Sequence, residues 1–201
     1  LGSLMLGSQT RKVLHNTAIP VLVSSVAGSS PDTGIPAPLT TIIDEHRSIA
    51  AVVRGLERVV GAIRDQREPP PFHLLKAMLY YIKAFPEALH HPKEDAYLFA
   101  RLRQRTPEFD ETIAELERQH EEGHDVVAEM ERSLSGYEAD PRGGLPAFAA
   151  AVEHFAATQW SHMNLENEVI LPAAREHLTA EDWAEIGRAF ASNGDPRFSV
   201  D

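Results

Sequence analysis

The stretch His90-His91-Pro92-Lys93-Glu94-Asp95-Ala96-Tyr97-Leu98-Phe99 sets a histidine and a glutamate one helical turn apart, just before an apolar run. Side chains at positions i and i+4 of an α-helix project from the same face. His90 and Glu94 can therefore offer an imidazole nitrogen and a carboxylate to one point in space, as a metal ion requires. Surface helices often carry this spacing without a metal, so the pair gains meaning only from partners elsewhere in the chain.

Composition restricts the classes of function. The chain has 201 residues, no cysteine, ten histidines and a formal charge of −11 at pH 7. It is long enough for one domain with a proper core and an appendage. The negative charge argues against nucleic acid or an anionic membrane as partner, since both would repel the surface. Without cysteine, only nitrogen and oxygen ligands remain for a metal, and we expect a cytoplasmic setting.

Apolar residues that recur every three or four positions predict four long amphipathic helices and a short fifth one. Pro86 and Pro92 fall inside the second helix, where each removes a backbone donor, so we expect a kink or a short break there. Thr179 and Asp182 are spaced as in a capping box at the start of the fifth helix. The predicted helices run from Thr40 to before the prolines at 69–71, from Pro71 to Leu102, from Pro107 to Leu134, from Leu145 to Ile170, and from Thr179 to Phe190.

Short connections between long helices predict an all-α, up-down-up-down antiparallel four-helix bundle. In such a bundle the first and third helices start at the end where the second and fourth finish. At a rise of about 1.5 Å per residue, seven potential ligands then fall into one layer of the core. Burying them unpaired would cost several kcal/mol each, and a metal removes that cost. The candidate metal ligands are His46, His90, Glu94, His120, His124, His162 and Glu166.

The neighbouring histidine, His91, repeats the i, i+4 spacing with Asp95, one residue out of phase. Steps of four residues from His90 continue into the apolar Leu98, whereas steps from His91 end at the charged Arg103. We therefore prefer His90 to His91 as the ligand, although the nearby prolines disturb the helical phase.

Residues 39–191 resemble the hemerythrin-like, HHE cation-binding proteins of bacteria. The resemblance implies a di-iron centre: two non-heme iron ions bridged by an oxo or hydroxo group, with the five histidines as terminal ligands and Glu94 and Glu166 bridging. It also implies dioxygen or another small oxidant as partner. Imidazole and carboxylate suit zinc and manganese too, so the choice of iron comes from the resemblance. The motifs that carry it are His46 in Asp-Glu-His-Arg, His90-x-x-x-Glu94, His120-x-x-x-His124, and His162-x-x-x-Glu166 with Ile-Leu-Pro downstream.

The first 26 residues differ from the rest. Gly7-Ser8 and Pro20-Val21-Leu22-Val23 resemble the closing helix and strand of a universal stress protein domain. The upstream glycines of that family's phosphate loop do not precede them, so nucleotide binding is not expected. Because the first residue is Leu, we expect a fragment of a longer fusion. Residues 27–38, rich in Gly, Ser and Pro, predict a flexible linker, and residues 192–201 a tail.

Two classes of function fit these observations. We expect a non-heme di-iron module that binds or senses dioxygen or related oxidants, in oxygen or redox sensing, carriage or iron buffering. The alternative is a di-iron enzyme acting on peroxide or nitric oxide, or an iron donor for the repair of damaged iron centres. A bundle whose histidines bind adventitious metal is a third possibility. No separate general base or substrate pocket is readable from the sequence, which favours the binding module over an enzyme.

Overall fold

The computed structural model describes residues 34–66 and 69–194, and this part of the chain consists of helices and short connections, with no strand in it. The all-α prediction is therefore confirmed for these residues. The helix and strand predicted within residues 1–26 lie outside the described residues, as do most of the predicted linker and residues 195–201 of the tail. None of the described helices has both the length and the apolar character needed to cross a bilayer.

Four long helical runs and one short helix make up the described chain. The first is a single helix, the second and fourth are each interrupted by π-helical turns, and the third is again a single helix. The elements are α1 (Ala37–Arg64), α2 (Phe72–Ile82), π1 (Lys83–His90), α3 (His91–Lys93), π2 (Glu94–Phe99), α4 (Ala100–Arg105), α5 (Asp110–Ala139), α6 (Leu145–Leu165), π3 (Glu166–Ile170), α7 (Leu171–His177) and α8 (Ala180–Phe190).

Helix ends follow local chemistry. Helix α1 begins at Ala37 with proline in its first turn, where a missing backbone N–H costs nothing. The predicted capping box of α8 is confirmed: the Thr179 hydroxyl accepts from the Asp182 backbone N–H, and the Asp182 carboxylate accepts from the Thr179 backbone N–H. Between α5 and α6, a Cβ on Gly144 would lie 2.4 Å from the Tyr137 backbone, so only glycine fits this turn.

The second helical run does not have the short break that was one of the two alternatives predicted for it. Neither proline breaks it: helix continues from α2 to α4, with Pro86 inside π1 and Pro92 inside α3. A π-helical turn pairs residue i with i+5 and so takes in one more residue than an α-helical turn. The wider turn makes room for Pro86, which has no backbone N–H to donate. It also changes the direction in which the following side chains point.

The hydrophobic core has two parts, and the polar candidates lie between them. One cluster gathers apolar residues from the later part of α1, from α2, from the later part of α5 and from α6. The other gathers residues from the start of α1, from π2 and α4, from the start of α5, and from π3 to α8. On α1, for example, His46 lies between Ile42 of the second cluster and Ile49 of the first. The fold therefore places a polar layer between two apolar ones.

Candidate metal centre

Seven buried side chains from the four helical runs form the polar layer. Glu94 and Glu166 are fully shielded, at 0% exposure each, and the histidines are almost as deeply buried. Glu94 is the first residue of π2 and Glu166 the first of π3, so both carboxylates lie where a helix widens. The other five members are His46 of α1, His90 of π1, His91 of α3, His120 of α5 and His162 of α6.

These residues form two groups that share a carboxylate. In the first, His46, His90 and Glu94 bring one potential ligand atom each to within 4.8 Å of one another. In the second, His91, His120 and His162 do the same, again with Glu94. Glu94 is therefore common to both groups and is placed to bridge two cations.

Glu166 spans the groups in the same way. Its Oε2 lies 3.3 Å from His46 Nε2 in the first group and 3.3 Å from His162 Nε2 in the second. Glu94 Oε1 lies 3.3 Å from His46 Nε2 and 3.2 Å from His90 Nε2. Two carboxylates thus lie between a pair of nitrogen-rich positions, the first offering two imidazoles and the second three.

Four of the histidines are oriented by a hydrogen bond to an oxygen on another helical run, which is the preceding run for three of them and the fourth run for His46. In each, Nδ1 faces an oxygen at 2.7–3.1 Å, which leaves Nε2 directed to the centre of the layer. Such contacts fix the tautomer and orientation of a metal-binding imidazole. We call these four contacts the orienting ring, and its pairs are His46–Asn167, His90–Glu45, His120–Asp95 and His162–Gln119.

The orienting ring closes around the bundle. The second run is held by the first, the third by the second, the fourth by the third, and the first by the fourth. Each acceptor is the immediate sequence neighbour of a member of the polar layer: Glu45 precedes His46, for instance, and Asn167 follows Glu166. These acceptors were missed at the level of sequence, and their adjacency to candidate ligands is the signal that could have found them.

Several atoms at the centre of the layer have no hydrogen-bond partner. They include His90 Nε2, Glu94 Oε2 and both carboxylate oxygens of Glu166. His120 Nε2 and His162 Nε2 lie 3.1 Å apart, and because their Nδ1 atoms face the oxygens of Asp95 and Gln119, two lone pairs would face each other. Unpaired carboxylate oxygens and opposed lone pairs are costly in a dry interior. The donor set therefore fits cations.

The electrostatics of the layer favour added positive charge. Burial by itself would lower the pKa of His90, but the carboxylates of Glu94 and Glu45 outweigh it and raise the pKa to about 10. Burial would likewise raise the pKa of Glu94, yet His90 and His46 hold it well below its usual range. For His91, burial and then the imidazoles of His120 and His162 push the pKa well below 6.5. His91 therefore stays neutral, as a metal ligand must be.

The structure brings together six of the seven sequence-predicted residues and leaves out His124. The His124 side chain is 69% exposed, and its Nδ1 faces Glu87 instead of the layer. Four residues on a regular helix turn a side chain about 40° past a full turn and about 6 Å along the axis. On α5, His120 points into the layer, whereas His124, one turn further along, contacts Glu87 and the solvent.

The structure places both His90 and His91 inside the layer. From the sequence alone, His90 is preferred and the two are treated as alternatives. The two residues flank the junction of π1 and α3 and face the two different groups. The widened turns on either side allow consecutive residues to point inward, which regular helical phase does not predict. Prolines inside an apolar helix were the available signal, since kinks at proline and π-bulges both disturb the phase.

Comparison with known proteins places this arrangement in a family. The family model of the hemerythrin HHE cation binding domain matches residues 37–174. That range contains all seven members of the polar layer and all four acceptors of the orienting ring. No curated protein matches the chain significantly.

Proposed function

The chain belongs to the hemerythrin HHE cation-binding domain family, and from this premise we propose that its polar layer holds two non-heme iron ions and binds or senses dioxygen or a related small oxidant. The observation that carries the proposal is the pair of carboxylates shared by the two histidine groups. Glu94 belongs to both groups, and Glu166 lies 3.3 Å from a histidine of each. Two bridging carboxylates are what a pair of cations a few ångströms apart needs.

The residues divide between the two positions as follows. His46 and His90 would hold one ion, His91, His120 and His162 the other, and both carboxylates would bridge. Iron in this setting supplies a redox-active binding site for a small molecule. Because the His46–His90 position offers one imidazole fewer, it is the side on which we expect an oxidant to bind.

Aromatic walls around the first position support a small ligand over a large substrate. The ring of Phe85 lies 6.2 Å from that of His90, and the ring of Phe190 lies 6.0 Å from it, edge to face. Phe85, Phe190 and the second group's neighbour Phe99 are almost completely buried. Their burial keeps bulk water away from His90, which favours a small ligand over a large substrate.

We further propose that the four helical runs alternate in direction, as in an up-down-up-down bundle. The composition of the two core clusters supports this, because one joins the start of α1 to the end of the second run and the other joins the end of α1 to α2. Likewise, the end of α5 shares a cluster with α6, at the start of the fourth run, and the start of α5 shares the other cluster with the end of that run.

Anaerobic reconstitution with ferrous iron tests the function. We expect two irons per chain and, after exposure to dioxygen, an absorption band in the visible range that disappears when the gas is removed. Steady consumption of oxidant without a reversible band would favour the alternative, a di-iron enzyme acting on peroxide or nitric oxide. Fewer than two irons per chain would contradict both, since both need a di-iron centre.

Metal binding is expected to weaken as the pH falls. His90, whose pKa is raised to about 10 in the metal-free chain, is protonated at neutral pH and must lose that proton when an ion binds. The apparent affinity for cobalt(II) should therefore rise about tenfold per pH unit between pH 6 and pH 9. Calorimetry in two buffers of different ionisation enthalpy measures the protons released, and the absence of proton release at pH 7 would contradict the expectation.

A further inference from the structure

Outside the polar layer, Glu87 of π1 is a buried carboxylate whose oxygens lack hydrogen-bond donors. It is only 6% exposed, and neither of its oxygens accepts a hydrogen bond. Burying a carboxylate in this way is costly unless a cation or donor compensates it. A Cβ on Gly123 of α5 would lie 3.2 and 3.3 Å from the two oxygens, so glycine at that position leaves the room that Glu87 occupies.

Glu87 lies between the polar layer and the solvent. Its Oε1 is 3.6 Å from His91 Nδ1, on the side of the layer, and its Oε2 is 3.1 Å from His124 Nδ1. The His124 side chain is 69% exposed. Two contacts therefore lead inward from the solvent. The first joins the exposed His124 to the buried Glu87, and the second joins Glu87 to His91 of the second histidine group.

A cavity of about 310 Å³ opens at this place and is lined by Glu87, His124 and Val127, among others. Lys83 also lines it, but its ammonium group is bound to Glu131, which lies 2.9 Å away on the same wall. The carboxylate of Glu87 thus faces the imidazoles of His91 and His124 and not the Lys83 ammonium. A carboxylate held beside an imidazole in this way offers two ligands to a cation that enters the cavity.

We propose that Glu87 and His124 form an uptake site, at which an incoming divalent transition-metal cation first binds before it passes His91 into the polar layer. One carboxylate and one imidazole suit ferrous iron, manganese, cobalt and zinc, and two protein ligands hold an ion only briefly. The inference rests on the proposed function, because it supplies the ions that the layer would hold. It gives the exposed His124 a role outside the layer.

The rate of metal loading tests the uptake site. Metal-free protein is mixed with cobalt(II) chloride under anaerobic conditions, loading is followed by cobalt absorption, and the final metal content is measured by mass spectrometry. We expect His124→Ala and Glu87→Gln each to slow loading about tenfold. The final content of His124→Ala should equal that of the unchanged chain. His154→Ala, which alters another exposed histidine, is the matched control and should load at the unchanged rate.

The outcomes separate the two proposals. If the unchanged chain takes up fewer than two ions, the proposed function fails, whatever the loading rates are. If it takes up two and His124→Ala loads as fast as the control, the uptake site alone is refuted. A lower final metal content in His124→Ala would also refute it, since His124 would then be a ligand of the layer. His124 is exposed, so its replacement leaves the fold intact and keeps the test decisive.

Discussion

Replacement of Glu94 by alanine is expected to remove both metal ions from the chain. Glu94 is fully buried and is the one residue found in both histidine groups. Its loss deprives each position of a ligand and leaves Glu166 as the one carboxylate between the two groups of imidazoles. Affinity should fall by more than about a hundredfold, the upper end of the loss seen when only an outer partner of a metal ligand is removed.

Two measurements check this effect. Metal content after reconstitution and desalting should fall from two ions per chain to almost none. The stabilisation by bound metal should disappear as well; it amounts to about 4 kcal/mol when the free metal is a thousand times its dissociation constant. Glu168→Ala, which changes an exposed glutamate next to the ring acceptor Asn167, is the control and should bind normally. A Glu94→Ala variant that kept two ions would rule out the shared carboxylate.

Replacement of His91 by alanine is expected to remove one ion and leave the other. His91 belongs to the second group alone, where its ring stacks on that of His120 with centroids 4.3 Å apart. The first group, with His46 and His90, keeps its ligands and both carboxylates. Metal content should therefore fall from two ions to about one, while His124→Ala keeps two.

This result would reverse the expectation from the sequence, which placed His124 among the ligands and His91 outside them. Metal analysis of the two variants, side by side, is the direct comparison. An empty or half-empty His124→Ala variant, together with a fully loaded His91→Ala variant, would show that His124 and not His91 is the ligand, against the packing around π1 in the structure. A double variant should match His91→Ala in metal content.

The long helices were predictable because their apolar residues recur with a regular period. That period also gave His46, His120 and His162, each on the inner face of an otherwise regular α-helix. It could not give His91, because the two π-helical segments of the second run add residues to a turn, and nothing in a 3.6-residue period shows where they fall. It also predicted His124, which lies outside the polar layer in the structure, since equal spacing does not determine which of two adjacent turns reaches the layer.

The partners of the histidines were harder to predict than the histidines themselves. Glu45, Asp95, Gln119 and Asn167 each contact a histidine from another run. Contacts between residues far apart in sequence depend on how the helices pack, and a periodic pattern on one helix carries no record of its neighbour. Asp95 illustrates this: from sequence it paired with His91 on its own helix, whereas in the structure it accepts from His120.

The closed order of the orienting ring bears on when the metal can arrive during synthesis. His46, near the start of the chain's helical part, is held by Asn167, more than a hundred residues later. As the chain leaves the ribosome, the first three runs can form before the residue that orients His46 exists. The full set of ligands and orienting residues therefore exists only after translation has passed residue 167, so neither ion can have its complete surroundings before nearly the whole domain is made.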